Sequence, residues 1–172
     1  AEKLRKQKYD LDESELKPYL KLENVRDGMF WVANQLFGIT FEKIDNVPVY
    51  HEDVEVFEVK EGDGSHIGLL YLDYFPRKSK RVGAWCTTFR GAGYDHEKNE
   101  KIDPIKSIVC NFTKPTGSRP SLLSWDEVNT LFHEFGHGLH GLFTEGKYDR
   151  TAGEVPRDYV ELPSQIMENW CA

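Results

Sequence analysis

The sequence has little cysteine, no excess of basic residues and no long apolar run. The three cysteines are odd in number and scattered, which argues against a disulfide framework and favours thiols in a reducing, cytoplasmic setting; they are Cys86, Cys110 and Cys171. The net charge of −7 argues against nucleic acid as a partner. No stretch reaches the roughly 20 apolar residues that a membrane-spanning helix needs, so no membrane partner is expected.

Several motifs are also missing. The sequence contains no Cys-x-x-Cys pair, no phosphate-binding loop and no internal repeat, which argues against thiol-redox, nucleotide-binding and solenoid proteins. The first ten residues, AEKLRKQKYD, are charged throughout, so no signal peptide is expected among them. A composition of 39% hydrophobic and 30% charged residues is ordinary for a globular protein. The length of 172 residues is sufficient for one domain with a hydrophobic core.

What the sequence does contain is a histidine-rich apolar segment, TLFHEFGHGLHGLF, at residues 130–143. His133 and His137 are four residues apart, so on an α-helix they lie on one face, one turn apart. Glu134 stands beside that face. The H-E-x-x-H spacing is typical of two zinc ligands and a carboxylate general base. The alternative, histidines that are satisfied groups of the core, is the better interpretation for a lone histidine but not for this pattern.

The flanks of this segment predict the helix that the pattern needs. Ser124 followed three residues later by Glu127 is a capping box, and apolar residues then recur at three- and four-residue steps. Gly136, Gly138 and Gly141 each cost about 1 kcal/mol of helix propensity relative to alanine. Three such costs in one helix predict close packing against another backbone.

A hydrolytic zinc site needs a third protein ligand. His140 lies two turns from His133, about 10 Å along the axis, so we interpret it as a packing group or a group that supports the ligands from outside their shell. The third ligand is expected among the carboxylates downstream, which are Glu154, Asp158, Glu161 and Glu168. Pro163 predicts that a helix begins near Glu161 or kinks there.

Two segments, FHEFGHGLHGLF and PRDYVELPSQIMENW, resemble the M3 family of zinc metallopeptidases, and upstream stretches such as YLDYFPRKSKRVGAW and VCNFTKP resemble it too. The resemblance covers nearly the whole chain. It implies one bound Zn²⁺, with His133, His137 and Glu161 as ligands and Glu134 as the general base. Glu168 is then a candidate to orient a ligating histidine, or else a solvated acid on a helix face.

The resemblance is strongest to the members of the family that release dipeptides from the C-terminus of short peptides. It therefore implies a peptidyl-dipeptidase. Two alternatives stay open: an M3 oligoendopeptidase, and an isolated zinc-binding piece without turnover. The family's chains are several times longer, and this one has no initiator Met. We therefore expect residues 1–172 to be a single incomplete part of a catalytic domain, with N- and C-terminal parts missing.

The order of elements predicts an α+β fold, and the resemblance implies that it is of the zincin type. Residues 1–47 are predicted to be helical, with a stop at Gly38. Residues 48–113 are predicted to form a small, mostly antiparallel sheet, and residues 121–172 to form the zinc-binding helices.

One predicted strand, VGAWCTTF, has a functional interpretation. Zinc peptidases commonly bind substrate as a strand added to a sheet edge, and the resemblance places Gly83, Ala84 and Trp85 on that edge. The small residues would let a peptide backbone approach; the alternative is a tight packing corner. The remaining histidines are interpreted as surface groups, and they are His51, His66 and His96.

Overall fold

The structure is a computed structural model that describes residues 16–146, 148, 152–153 and 155–171. The described residues form a short 3-10 turn, Lys17–Tyr19, three α-helices and seven strands. In chain order, these elements are α1 (Leu22–Phe37), β1 (Thr40–Lys43), β2 (Glu55–Lys60), β3 (His66–Asp73), β4 (Trp85–Arg90), β5 (Gly93–Asp95), β6 (Glu100–Ile102), β7 (Ile105–Val109), α2 (Trp125–Leu142) and α3 (Leu162–Glu168).

Five of the strands form one sheet in the order β1-β2-β3-β7-β4. Only the β3–β7 pair is parallel; the other three neighbouring pairs are antiparallel. Strands β5 and β6 make a separate hairpin. The prediction of a mixed fold with a mostly antiparallel sheet is confirmed, and β4 lies at one edge of that sheet.

The prediction that residues 1–47 are helical is wrong at its C-terminal end. Helix α1 stops at Phe37, where Gly38 takes a positive φ of 74° and closes the last turn as expected. Thr40–Lys43 then forms β1 and extends the sheet beside β2. The Phe41 ring stacks on Phe30 of α1 at 4.0 Å between centroids, so packing against the sheet outweighed continuation of the helix. Residues 1–15 of this prediction lie outside the described residues.

The main core lies between α2 and the inner strands of the sheet. Leu70, Leu72 and Ile108 from β3 and β7 are almost completely buried, and they belong to one cluster with Leu131 and Phe135 of α2. Each such side chain stabilises the fold by about 1.5–3 kcal/mol relative to exposure. This packing holds one face of α2 against the sheet and leaves its neighbouring face beside the edge strand. In the described part of the chain, no helix has both the length and the apolar content required to cross a membrane.

Candidate active site

Helix α2 begins with the predicted capping box. The Ser124 side chain accepts a hydrogen bond from the Glu127 backbone N–H at 3.3 Å, and the Glu127 carboxylate accepts one from the Ser124 N–H at 2.7 Å. Both bonds satisfy backbone donors that a helix start otherwise leaves unpaired. The helix then continues through residues 133–137, so His133 and His137 project from one face, as their spacing predicts.

Gly136 sets how closely the next helix approaches. A Cβ atom there would lie 2.5 Å from the carbonyl oxygen of Pro163 and 2.6 Å from the Cα of Ser164, so backbone meets backbone at this point. The predicted close packing is confirmed at this glycine only. Gly138 faces the Ile108 side chain, and Gly141 faces the Lys106 side chain. The contact at Gly136 brings the start of α3, and with it Glu161, beside α2.

Glu161 completes a group of three side chains whose ligand atoms lie within 4.8 Å of one another. Its Oε2 is 3.2 Å from Nε2 of His133 and 3.1 Å from Nε2 of His137. Glu161 is the residue just before α3, and the Ser164 hydroxyl donates a hydrogen bond to the same oxygen at 2.9 Å. That hydrogen bond is the main reason why the pKa of Glu161 lies below its ordinary value, so the carboxylate stays ionised.

These separations fit a metal ion. Ligands held at about 2.0–2.1 Å from a tetrahedral zinc are about 3.3 Å from one another, close to the two observed contacts of 3.1 and 3.2 Å. Burial lowers the pKa of His137, which favours the neutral imidazole that a metal requires. His133, His137 and Glu161 therefore form a group that could hold a metal ion.

Glu168 lies behind one of these histidines. Its Oε1 is 2.6 Å from Nδ1 of His133. An ionised carboxylate can only accept, so Nδ1–H donates, and in the neutral ring Nε2 then keeps its lone pair. Nε2 faces the Glu161 carboxylate at 3.2 Å, on the side where these groups could hold a metal ion. The hydrogen bond from His133 to Glu168 thus leaves Nε2 as the ring nitrogen that could bind a metal ion.

Glu134 is the most buried acid of the site, with 8% of its surface exposed. Burial raises the pKa of its carboxyl group above the ordinary value, an effect partly offset by the charge of His133 and by a backbone hydrogen bond from Cys86. It does not belong to the three-residue ligand group. Glu134 therefore faces the cleft as a carboxylate whose proton affinity is enhanced.

A cleft of about 580 Å³ connects these groups to the edge strand β4. His133, Glu134, His137 and Glu161 line it from the helices, and His140 lies further along the same wall, outside the ligand group. From the strand side, the lining residues that bear on the prediction are Ala84, Trp85 and Cys86.

Gly83 differs from the other predicted edge residues. It precedes β4 with a φ of 95° and is not part of the cleft wall. Its carbonyl oxygen accepts a hydrogen bond from the Asn111 amide at 2.7 Å, and the same amide donates to the carbonyl of Arg81 at 2.8 Å. Gly83 therefore helps to hold the loop that leads into β4, and its carbonyl already has a partner.

The Cys86 thiol also lies in the cleft, but burial raises its pKa to about 11. It stays protonated near neutral pH and is unsuited to act as a nucleophile. The three surface histidines of the prediction do not line this cleft; His66, for example, contacts Glu58 at 2.8 Å on the sheet. Chemistry at this site therefore depends on the histidine and carboxylate groups.

The sequence patterns did not identify Lys106 and Thr88, which line the cleft from β7 and β4. The available signal was a single charged residue in the strand IKSIV, a lysine two residues before the buried Ile108. Alternation along a strand places residues 106 and 108 on the same face, which is the face that α2 covers.

Comparison with known proteins gives consistent matches over the whole chain. Residues 1–172 match peptidase family M3. The chain is 49% identical to a dipeptidyl carboxypeptidase of Salmonella typhimurium over 100% of its own length and 25% of that protein. It is 49% identical to a dipeptidyl carboxypeptidase of Escherichia coli, and 39% identical to oligopeptidase A of Escherichia coli, in each case over 99% of the chain and 25% of the relative. The chain thus spans about a quarter of the length of these relatives.

Proposed function

The chain belongs to peptidase family M3, and from this premise we propose that it supplies the zinc-binding and proton-transferring part of a peptidase that hydrolyses short peptides. The observation that carries the proposal is the cluster of His133, His137 and Glu161 in one cleft with the buried Glu134. In this proposal the fold is of the zincin type, with the metal held between a histidine-bearing helix and a downstream glutamate.

The proposed metal is one Zn²⁺ ion, held by Nε2 of His133, Nε2 of His137 and the Glu161 carboxylate. Two nitrogens and one carboxylate oxygen are a donor set that zinc accepts in catalytic sites, where a fourth position stays open. When bound, zinc lowers the pKa of water to about 7 and polarises a carbonyl group as a Lewis acid.

The chain's own residues account for the proton movements. Glu134 accepts the proton of the attacking water as the peptide carbonyl carbon is attacked, then donates it to the nitrogen of the departing amine. Its burial supports this role, because a raised pKa brings a carboxyl group closer to the operating pH. Glu168 keeps the His133 ring in one tautomer and one orientation through the 2.6 Å hydrogen bond.

The edge strand β4 is the proposed support for the substrate backbone. Within the described residues it pairs with β7 alone, so its other edge offers backbone N–H and C=O groups beside the cleft. A peptide added there is bound mainly through its backbone, which suits short substrates of varied sequence. Ala84 and Trp85 are the proposed contacts of this kind.

Release of dipeptides from the C-terminus is the proposed reaction type. It is supported by the two relatives named dipeptidyl carboxypeptidase, at 49% identity. Cleavage within oligopeptides is the second candidate, supported by oligopeptidase A at 39% identity over the same residues. We also propose a cytoplasmic location, which the three free thiols support.

The test uses the full-length protein, loaded with zinc, and a tetrapeptide with a blocked N-terminus. We expect two dipeptide-sized products, identified by mass, and no products after the metal is removed by a chelator. Longer blocked peptides separate the two candidates: successive loss of C-terminal dipeptides supports the first, and one internal cut supports the second. A zinc-loaded protein that cleaves neither peptide contradicts the proposed function.

A further inference from the structure

A lysine side chain on β7 extends to the neighbouring edge strand, β4. Lys106 of β7 lies directly opposite Thr88 of β4 in the antiparallel register. Its Nζ donates a hydrogen bond to the Thr88 hydroxyl at 2.6 Å. The ammonium group is therefore positioned at the free edge of the sheet, inside the cleft that also contains Glu134 and His137.

The helix leaves room for this side chain at one residue. A Cβ atom on Gly141 of α2 would lie 2.4 Å from Cε and 2.6 Å from Nζ of Lys106. Only a residue without a side chain allows the lysine to follow its observed path between helix and strand. Gly141 is thus explained by Lys106, since the three atoms nearest to such a Cβ all belong to the lysine side chain, whereas at Gly136 they are backbone atoms.

Within the described residues, Lys106 has no carboxylate at ion-pair distance. Lysines on the neighbouring surface do have one: Lys60 contacts Glu58 at 3.2 Å, and Lys101 contacts Glu145 at 2.8 Å. An ammonium group has three N–H donors, and the Thr88 hydroxyl takes only one of them. Lys106 is half-buried. It combines a specific position, spare donors and a charge that no acid among the described residues balances at close range.

The position of Lys106 relative to the cleaved bond indicates which part of a bound peptide its ammonium group faces. Cys86 of β4 lines the cleft together with Glu134, so in the proposed reaction the cleaved peptide bond lies beside Cys86. Thr88 is two residues further on, about 7 Å along the strand. A peptide laid against β4 would therefore have the residue two positions from the cleaved bond beside Lys106.

On the basis of the proposed function, we propose that Lys106 binds a carboxylate of the peptide substrate about two residues from the cleaved bond. Two groups supply this chemistry. One is the C-terminal carboxylate of a substrate from which a dipeptide is removed, and the other is an acidic side chain on the opposite side of the cleaved bond. Charge-assisted hydrogen bonds to an ammonium group would anchor either of them.

Two pairs of blocked peptides distinguish these sources. The first pair is tetra-alanine with a free C-terminus and the same peptide as the C-terminal amide. The second pair carries Glu or Gln two residues before the cleaved bond, with the C-terminus amidated in both. For each pair, kcat/KM is measured on the zinc-loaded, full-length protein, and binding is measured in a Glu134→Gln background, where the peptides stay intact.

The wild type should favour the carboxylate member of one pair by about tenfold or more. Lys106→Met, which keeps the length and removes the charge, should bring that ratio to about one. Lys106→Arg should retain part of the preference. Gly141→Ala keeps the charge and displaces the ammonium group, so it should also lower the ratio, and it gives a second variant should Lys106→Met not fold.

A ratio lost only in the free-acid pair identifies the C-terminal carboxylate, and a ratio lost only in the Glu pair identifies the side chain. If Lys106→Met leaves both ratios at their wild-type values, the proposal is overturned. Failure of the wild type to cleave any of the peptides contradicts the proposed function, while the binding ratios in the Glu134→Gln background still decide the role of Lys106.

Discussion

Gly136 links the packing of α2 against α3 to the candidate metal site. Its replacement by alanine tests that link. The new Cβ would lie 2.5 Å from the Pro163 carbonyl oxygen, so the two backbones must separate by about 0.9 Å to reach an ordinary 3.4 Å contact. Glu161 is two residues before Pro163 and moves with it. Metal ligands tolerate displacements of only about 0.2 Å, so we expect zinc affinity to fall by at least about 10- to 100-fold.

The effect on stability is smaller and has two parts of opposite sign. Overpacking costs about 1–3 kcal/mol, whereas alanine improves helix propensity by about 1 kcal/mol over glycine. The net loss for Gly136→Ala is therefore up to about 2 kcal/mol. Gly138→Ala is the matched control, because its Cβ would meet the Ile108 side chain at 3.4 Å, an ordinary contact. We expect that variant to be neutral or slightly stabilised, with normal zinc affinity.

The assay is competition for zinc with a chromophoric chelator, combined with thermal unfolding before and after metal removal, on the full-length protein. Zinc that binds only the folded state raises the melting temperature by mass action. Chelation should therefore lower the melting temperature of the wild type and of Gly138→Ala, and should lower that of Gly136→Ala by less. Wild-type zinc affinity in a folded Gly136→Ala protein would refute the argument that this backbone contact positions Glu161.

Three further predictions concern single carboxylates. Glu134→Gln should keep zinc but lower kcat by about 10²–10⁴-fold with little change in KM, because it removes the proton acceptor alone; loss of the metal in a zinc titration would contradict this role. Glu168→Ala should weaken zinc binding by about 10- to 100-fold, because His133 loses the partner that holds its tautomer; an unchanged dissociation constant would show that Glu168 is only a surface acid. Asp73→Asn should destabilise the protein by about 3–5 kcal/mol in urea unfolding, because the carboxylate is 1% exposed and Lys80, 2% exposed, would lose its ion-pair partner. Burial alone would raise the pKa of Asp73, but hydrogen bonds from Arg77 and Lys80 outweigh it and lower the pKa, so this stability is present above the unfolded-state pKa of about 3.9 and is lost as the pH falls through the lower folded-state pKa. A difference between wild type and Asp73→Asn that does not shrink on such acidification would contradict the assigned pairing.

The end of the first helix shows where local sequence signals were incomplete. Gly38 correctly marked the stop of α1, but nothing in the next residues predicted that Thr40–Lys43 would join the sheet. The pairing of Phe41 with Val59 and its stacking on Phe30 are contacts between segments far apart in the chain. A strand of four residues at a sheet edge depends on such contacts more than on its own propensity.

The candidate site also combines features that local sequence signals predicted with features that they did not. The sequence by itself determined the capped helix and the side-by-side placement of His133 and His137, because both depend on the 3.6-residue repeat and on hydrogen bonds between residues three or four apart. The resemblance to the family suggested Glu161, but the spacing alone left four downstream carboxylates open.

Glu154 lies outside the described residues; among the other three acids, only the tertiary structure decided which of them reach the histidines. The backbone contact between Gly136 and Pro163 brings Glu161 to 3.1–3.2 Å from both imidazoles and Glu168 to 2.6 Å from the far side of His133. The same packing directs Lys106 past Gly141 to the sheet edge. Such distances depend on how separate elements dock, and docking is determined by the fit of whole surfaces, which no local repeat in the chain encodes.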